Sequence, residues 1–75
     1  MYKKFYLVPT DSRKSFYNKC FVEVVGNSAT LYSYNAKIIT YNTITGEIIK
    51  HPAYNYSQTT RRHQRAFCEY YGITA

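Results

Sequence analysis

The sequence predicts an α+β domain, a three- to four-stranded antiparallel β-meander with one C-terminal α-helix packed on one of its faces. Three observations predict it. Residues 15–51 are dominated by β-branched and aromatic side chains, interrupted at short intervals by Gly26-Asn27 and Thr45-Gly46. Residues 57–71 carry a helical pattern that opens on Ser57 and closes on Gly72. The chain has 75 residues, and at that size it buries roughly 60 to 65% of its unfolded surface, enough for one core and one domain.

Residues 1–14 are expected to form an N-terminal strand or an arm, because Lys3 to Val8 is β-prone and Pro9-Thr10-Asp11-Ser12 is a turn cluster. The run Phe16 to Val25 alternates Cys20, Val22 and Val24 against Lys19, Phe21 and Glu23, the mark of a half-buried strand. Gly26-Asn27 can take the positive φ angles of a tight hairpin, and Thr30 to Tyr34 reads as the returning strand. Lys37 to Ile44 continues in β-prone residues. Thr45-Gly46-Glu47 then reverses the chain into Ile48-Ile49-Lys50, and Pro52 ends the pairing. Pro52 to Tyr56 is the loop that carries the chain from sheet to helix.

Ser57 or Thr59 can cap the helix, no Gly or Pro interrupts Thr60 to Tyr71, and Gly72 stands where a left-handed cap is expected. At about 100° per residue, Thr59, Thr60, His63, Ala66, Phe67, Tyr70 and Tyr71 share one arc, which should face the sheet. Cys68, Arg61, Arg65, Glu69 and Arg62 take the other arc. Tyr32, Tyr34 and Tyr41 alternate along the strands and, on the structural reading, pack under the helix.

A formal charge of +6, from ten Lys and Arg against four acids, favours nucleic acid, nucleoprotein or another acidic surface as partner. Ten Tyr and four Phe without Trp are more aromatic side chains than so small a core can bury, so some of them must line a half-wet surface or an interface. No segment reaches the roughly 18 to 20 apolar residues of a membrane span, and the apolar N-terminal stretch is too short for a signal peptide, so a cytoplasmic protein without membrane contact is expected. Cys20 and Cys68 make no disulfide framework and lack the neighbouring ligands of a zinc site.

Catalysis is not expected. The carboxylates Asp11, Glu23, Glu47 and Glu69 are not paired at an acid/base spacing, and no glycine-rich phosphate loop exists. Cys68 and His63 project about 140° apart on the helix, which excludes a nucleophile–base pair. His63 on the sheet-facing arc reads as a core histidine, and a single imidazole binds metal poorly. No catalytic residue, metal or cofactor is therefore expected.

The expected binding residues are the helical stripe Arg61, Arg62 and Arg65 together with the basic-aromatic positions Lys3, Lys4, Arg13, Lys14, Tyr17 and Lys19. Arginine and lysine would neutralise phosphates while exposed tyrosines stack on bases. The same Tyr- and Arg-rich surface suits a protein partner, so an alternative function is inhibition of a host defence system by docking on its effector complex, as an anti-CRISPR protein does. The unpaired edges of a small open sheet also offer an edge-to-edge homodimer.

Three segments occur in a familiar order: Ser15-Phe16-Tyr17-Asn18-Lys19-Cys20, Leu31-Tyr32-Ser33-Tyr34-Asn35-Ala36, and Tyr56-Ser57-Gln58-Thr59-Thr60-Arg61-Arg62-His63 followed by Phe67. They resemble the SFYGKA, LxSYNT and YSxTTxRHIxxFL motifs of a family of small uncharacterised phage, plasmid and bacterial proteins, across Ser15 to Gly72. The chain departs from those motifs at Asn18, Cys20, Ala36 and Gln64. The resemblance brings no activity with it. It implies a mobile-element context, in which short proteins commonly serve as DNA-binding accessories or as inhibitors of host defence.

Overall fold

The computed structural model describes residues 2–7 and 19–74. Among these are five strands and one helix: β1 (Tyr2–Tyr6), β2 (Cys20–Val25), β3 (Ser28–Ser33), β4 (Ala36–Asn42), β5 (Ile48–Lys50) and α1 (Gln58–Tyr71). The strands form one antiparallel meander in the order β1-β2-β3-β4-β5.

The α+β class is as expected, but the sheet has five strands rather than three to four. The additional strand is β1, which pairs with β2 from Tyr2↔Val25 to Tyr6↔Phe21. This segment, expected as a strand or an arm, is tied down by the ladder. Leu7 continues the pairing with an N–H to the carbonyl of Cys20 at 3.1 Å and is buried in the core. The expected Pro9–Ser12 turn and the start of the second strand at Phe16 lie outside the described residues.

Two-residue loops close the β2–β3 and β3–β4 hairpins. Val25 pairs with Ser28 across Gly26, whose φ of 59° meets the positive-φ demand of the turn. Ser33 pairs with Ala36 across Tyr34 and Asn35, both left-handed at φ 53° and 70°. A tyrosine there is strained, which is why the sequence reads Tyr34 as strand. The β4–β5 loop is organised by Asn42, whose Oδ1 accepts from the N–H groups of Ile44 and Thr45 at 2.9 Å each.

A bulge separates the pairs Leu31↔Ile39 and Tyr32↔Lys37, leaving Ile38 as the extra residue of β4. Adjacent Ile38 and Ile39 are consequently both buried, which simple alternation would forbid. The core gathers Leu7, Cys20, Val22, Ala29, Leu31, Ile38 and Ile39 from the sheet side and Ala66 and Phe67 from the helix.

Ser57 caps α1 by accepting from the N–H of Thr60 at 3.1 Å. At the other end Gly72 is left-handed at φ 65°, and the N–H of Ile73 reaches the carbonyl of Cys68 at 2.9 Å. The helix buries Thr60, His63, Gln64, Ala66 and Phe67. His63 Nδ1 lies 2.7 Å from Ser33 Oγ, docking the helix on β3. Tyr70, expected in the sheet-facing arc, is mostly exposed and meets the edge strand of the sheet, its ring centroid 5.0 Å from that of Phe5. Gln64 is buried because both ends of its amide pair with Asn55: Oε1 accepts from the backbone N–H at 2.7 Å and Nε2 donates to Oδ1 at 2.9 Å.

Candidate functional site

The helix covers one face of the sheet, and successive side chains of a strand point to opposite faces. Every strand position that alternates with the core therefore projects to the other side. Three cross-strand rows result. One runs Tyr6, Phe21, Tyr32, Lys37; the next runs Lys4, Glu23, Thr30, Thr40, Ile49; the third runs Tyr2, Val25, Ser28, Asn42.

The first row is aromatic. Phe21 and Tyr32 stack at a centroid distance of 4.9 Å with their planes 4° apart, and Tyr6 meets Phe21 edge-on at 5.9 Å. Lys4 lies over both outer rings of β1 and β2, its Nζ 4.5 Å from the Phe21 centroid and 5.5 Å from that of Tyr6. Beyond the row, Lys19 and Phe21 border a groove of about 360 Å³ with the turn residues Tyr34 and Asn35. Tyr2, Tyr6 and Tyr34 are at least half exposed, at 61, 50 and 55%.

The second row is polar. Tyr2 Oη donates to Glu23 Oε2 at 2.7 Å. That hydroxyl, then the one of Tyr32, holds the Glu23 carboxyl below the usual glutamate range, with Lys4 and Lys37 acting in the same direction. The hydroxyls of Thr30 and Thr40 are 3.2 Å apart, and Thr40 Oγ1 lies 2.8 Å from His51 Nε2. The face thus combines stacked rings, three lysines and a line of hydrogen-bonding groups.

The expected binding residues do not converge on one surface. Lys4 and Lys19 belong to the open face. Lys3 projects to the opposite side of β1, its Nζ 5.5 Å from the Phe5 ring that packs against the core. Arg61 and Arg65 are exposed on the outer side of α1, away from the sheet, and Arg65 Nε is 3.3 Å from Glu69 Oε1 one turn on. Arg62 is half-buried. Arg13, Lys14 and Tyr17 lie outside the described residues.

The reading that put Tyr32, Tyr34 and Tyr41 under the helix holds only for Tyr41, which meets Tyr71 at 5.4 Å. Alternation with the buried Leu31 and Ser33 turns Tyr32 to the open face, and Tyr34 occupies a turn. Sequence reasoning passed over Tyr2, Tyr6, Phe21, Tyr32, Glu23 and Lys37 as a group. The alternation of Lys19, Phe21 and Glu23 in β2 was the signal that could have found them.

His63 is fully buried, and burial, then the nearby charge of Arg62, lowers its pKa to about 4. Cys20 is buried in the core, which raises its thiol to about 12. Among the described residues no group of three or more His, Cys, Asp or Glu could hold a metal ion, and no helix is long and apolar enough to cross a membrane.

Residues 6–74 match the model of a family of unknown function, DUF8033, and the chain belongs to that family. No curated protein and no solved structure matches it.

Proposed function

We propose that this DUF8033 member is a non-enzymatic accessory protein of a phage or other mobile element, acting in the host cytoplasm, that binds single-stranded nucleic acid through the open face of its sheet. The carrying observation is the Tyr6–Phe21–Tyr32 ring row with Lys4, Lys19 and Lys37 around it, on a face that the helix leaves uncovered. The exposed Tyr6 ring and the half-buried Phe21 and Tyr32 rings offer π surface to unpaired bases, and ammonium groups on the same face neutralise the phosphates between them. A duplex keeps its bases stacked inside and would gain only the charge term.

The test is fluorescence anisotropy with labelled single-stranded DNA, single-stranded RNA and duplex DNA across a salt series. Single strands are expected to bind more tightly than the duplex. With about three phosphates neutralised, log Kobs should fall against log salt with a slope near about −2. Tyr6→Ala with Tyr32→Ala should weaken single-strand binding by about 1 to 3 kcal/mol for each base that loses its stack. Binding that survives this pair but is lost in Arg61→Ala with Arg65→Ala would move the site to the helix.

A second reading, inhibition of a host defence system by docking on a nucleoprotein effector, is favoured by Arg61 and Arg65 lying exposed on the outer side of the helix. That arrangement suits a partner that presents nucleic acid to the sheet and an acidic protein patch to the helix. Binding to such a complex without binding to any free oligonucleotide would select it.

A further inference from the structure

We infer that Glu23 is the base-reading residue of the open face and gives it a preference for guanine. The inference rests on the single-strand reading above and deepens it. A surface for nucleic acid is expected to be free of carboxylates, which repel the phosphates. Glu23 nevertheless stands inside this one, with Lys4 opposite it on β1 and Thr30 opposite it on β3.

Its distance from the rings suits a base. Glu23 is two residues from Phe21 along β2, about 7 Å at the rise of a strand, so a base lying over the ring row presents its edge toward the carboxylate. Tyr2 Oη, at 2.7 Å from Oε2, helps to set the carboxylate's orientation. An ionised carboxylate has about four acceptor sites, so the tyrosine hydroxyls leave acceptor capacity for a base.

Guanine is the base that fits a fixed pair of acceptors. Its Watson–Crick edge carries N1–H and N2–H side by side, matching the two carboxylate oxygens. Adenine and cytosine each present one amino group beside a ring nitrogen whose lone pair faces the carboxylate. Thymine and uracil present one N–H between two carbonyl oxygens. Recognition of splayed bases on these edges is how single strands are read in sequence, and Lys4, Lys19 and Lys37 remain for the phosphates.

The experiment is anisotropy at physiological salt with short labelled strands: one of thymidine alone, and three with central guanines, adenines or cytosines, each as DNA and as RNA. The wild type is expected to bind the guanine strand about tenfold more tightly than the thymidine strand, within the range of a bidentate base contact. Glu23→Gln should reduce that preference to less than about twofold, since the amide puts an NH2 donor where the second acceptor oxygen stood, opposite a guanine N–H. Its affinity for the thymidine strand should be unchanged or higher, because a phosphate-repelling charge is gone. Tyr2→Phe keeps the carboxylate but removes one of the hydroxyls that orient it, and should reduce the preference by less than Glu23→Gln does.

A melting curve for Glu23→Gln that overlays the wild type establishes that the variant is folded. Equal binding of all strands by the wild type, or a preference that survives Glu23→Gln, would overturn the inference while leaving the single-strand reading intact. Failure of the wild type to bind any strand would overturn that reading and this inference with it.

Discussion

Phe67 joins helix to sheet. Its side chain is fully buried with Leu31, Ile38, Ile39 and Val22, and its ring lies 5.0 Å from that of Tyr71. Phe67→Ala is expected to cost roughly 3 to 5 kcal/mol in chemical denaturation, the transfer term plus the cavity left behind. His63 makes a second prediction. Burial favours its neutral form, so the unfolded chain takes up a proton at higher pH than the folded one. Stability from this group is complete above the ordinary histidine value of 6.5 and is lost as pH falls from there through about 4. A melting temperature that drops across that window checks it; a flat profile contradicts the burial argument. Both residues were legible in the sequence, because helical periodicity assigns faces well. Gln64 was not, since its burial depends on an amide pair with Asn55 in a loop without periodicity. Nor was Tyr32, since alternation says which residues share a face but not which face the helix covers.

At the scale of elements, the ends of α1 were legible because caps are local chemistry. Ser57→Ala removes the acceptor for the Thr60 N–H and is expected to cost about 1 kcal/mol, read as a lower denaturation midpoint with an unchanged slope. The hairpin at Gly26 was legible for the same reason. The turn at Tyr34 and Asn35 was not, because the strain of a left-handed tyrosine is met by the pairing of β3 with β4 on either side. β1 was only half legible. Its β-prone residues suggested a strand, but its partner lies across an intervening segment, and pairing at that separation leaves no local signal. That strand supplies Tyr2, Lys4 and Tyr6 to the open face, and of these three only Lys4 was among the expected binding residues.

Among the described residues, cationic side chains lie on opposite sides of the molecule: Lys4, Lys19 and Lys37 on the aromatic sheet face, Arg61 and Arg65 on the outer side of α1. Composition led to the expectation of a basic, tyrosine-rich surface but could not distribute it, because charge counts carry no information on which residues the register brings together. The arginine stripe was conspicuous as a run in sequence; the ring row exists only after β1, β2 and β3 have paired. Opposite faces make the claim of a sheet-face site separable from the charge of the chain as a whole. The most direct test is a two-dimensional NMR titration of the isotope-labelled protein with a short single-stranded oligonucleotide at physiological salt. The account predicts saturable shifts at Tyr2, Lys4, Tyr6, Phe21, Glu23 and Tyr32 with Arg61 and Arg65 little moved; shifts confined to the helix, with the sheet face silent, would contradict it.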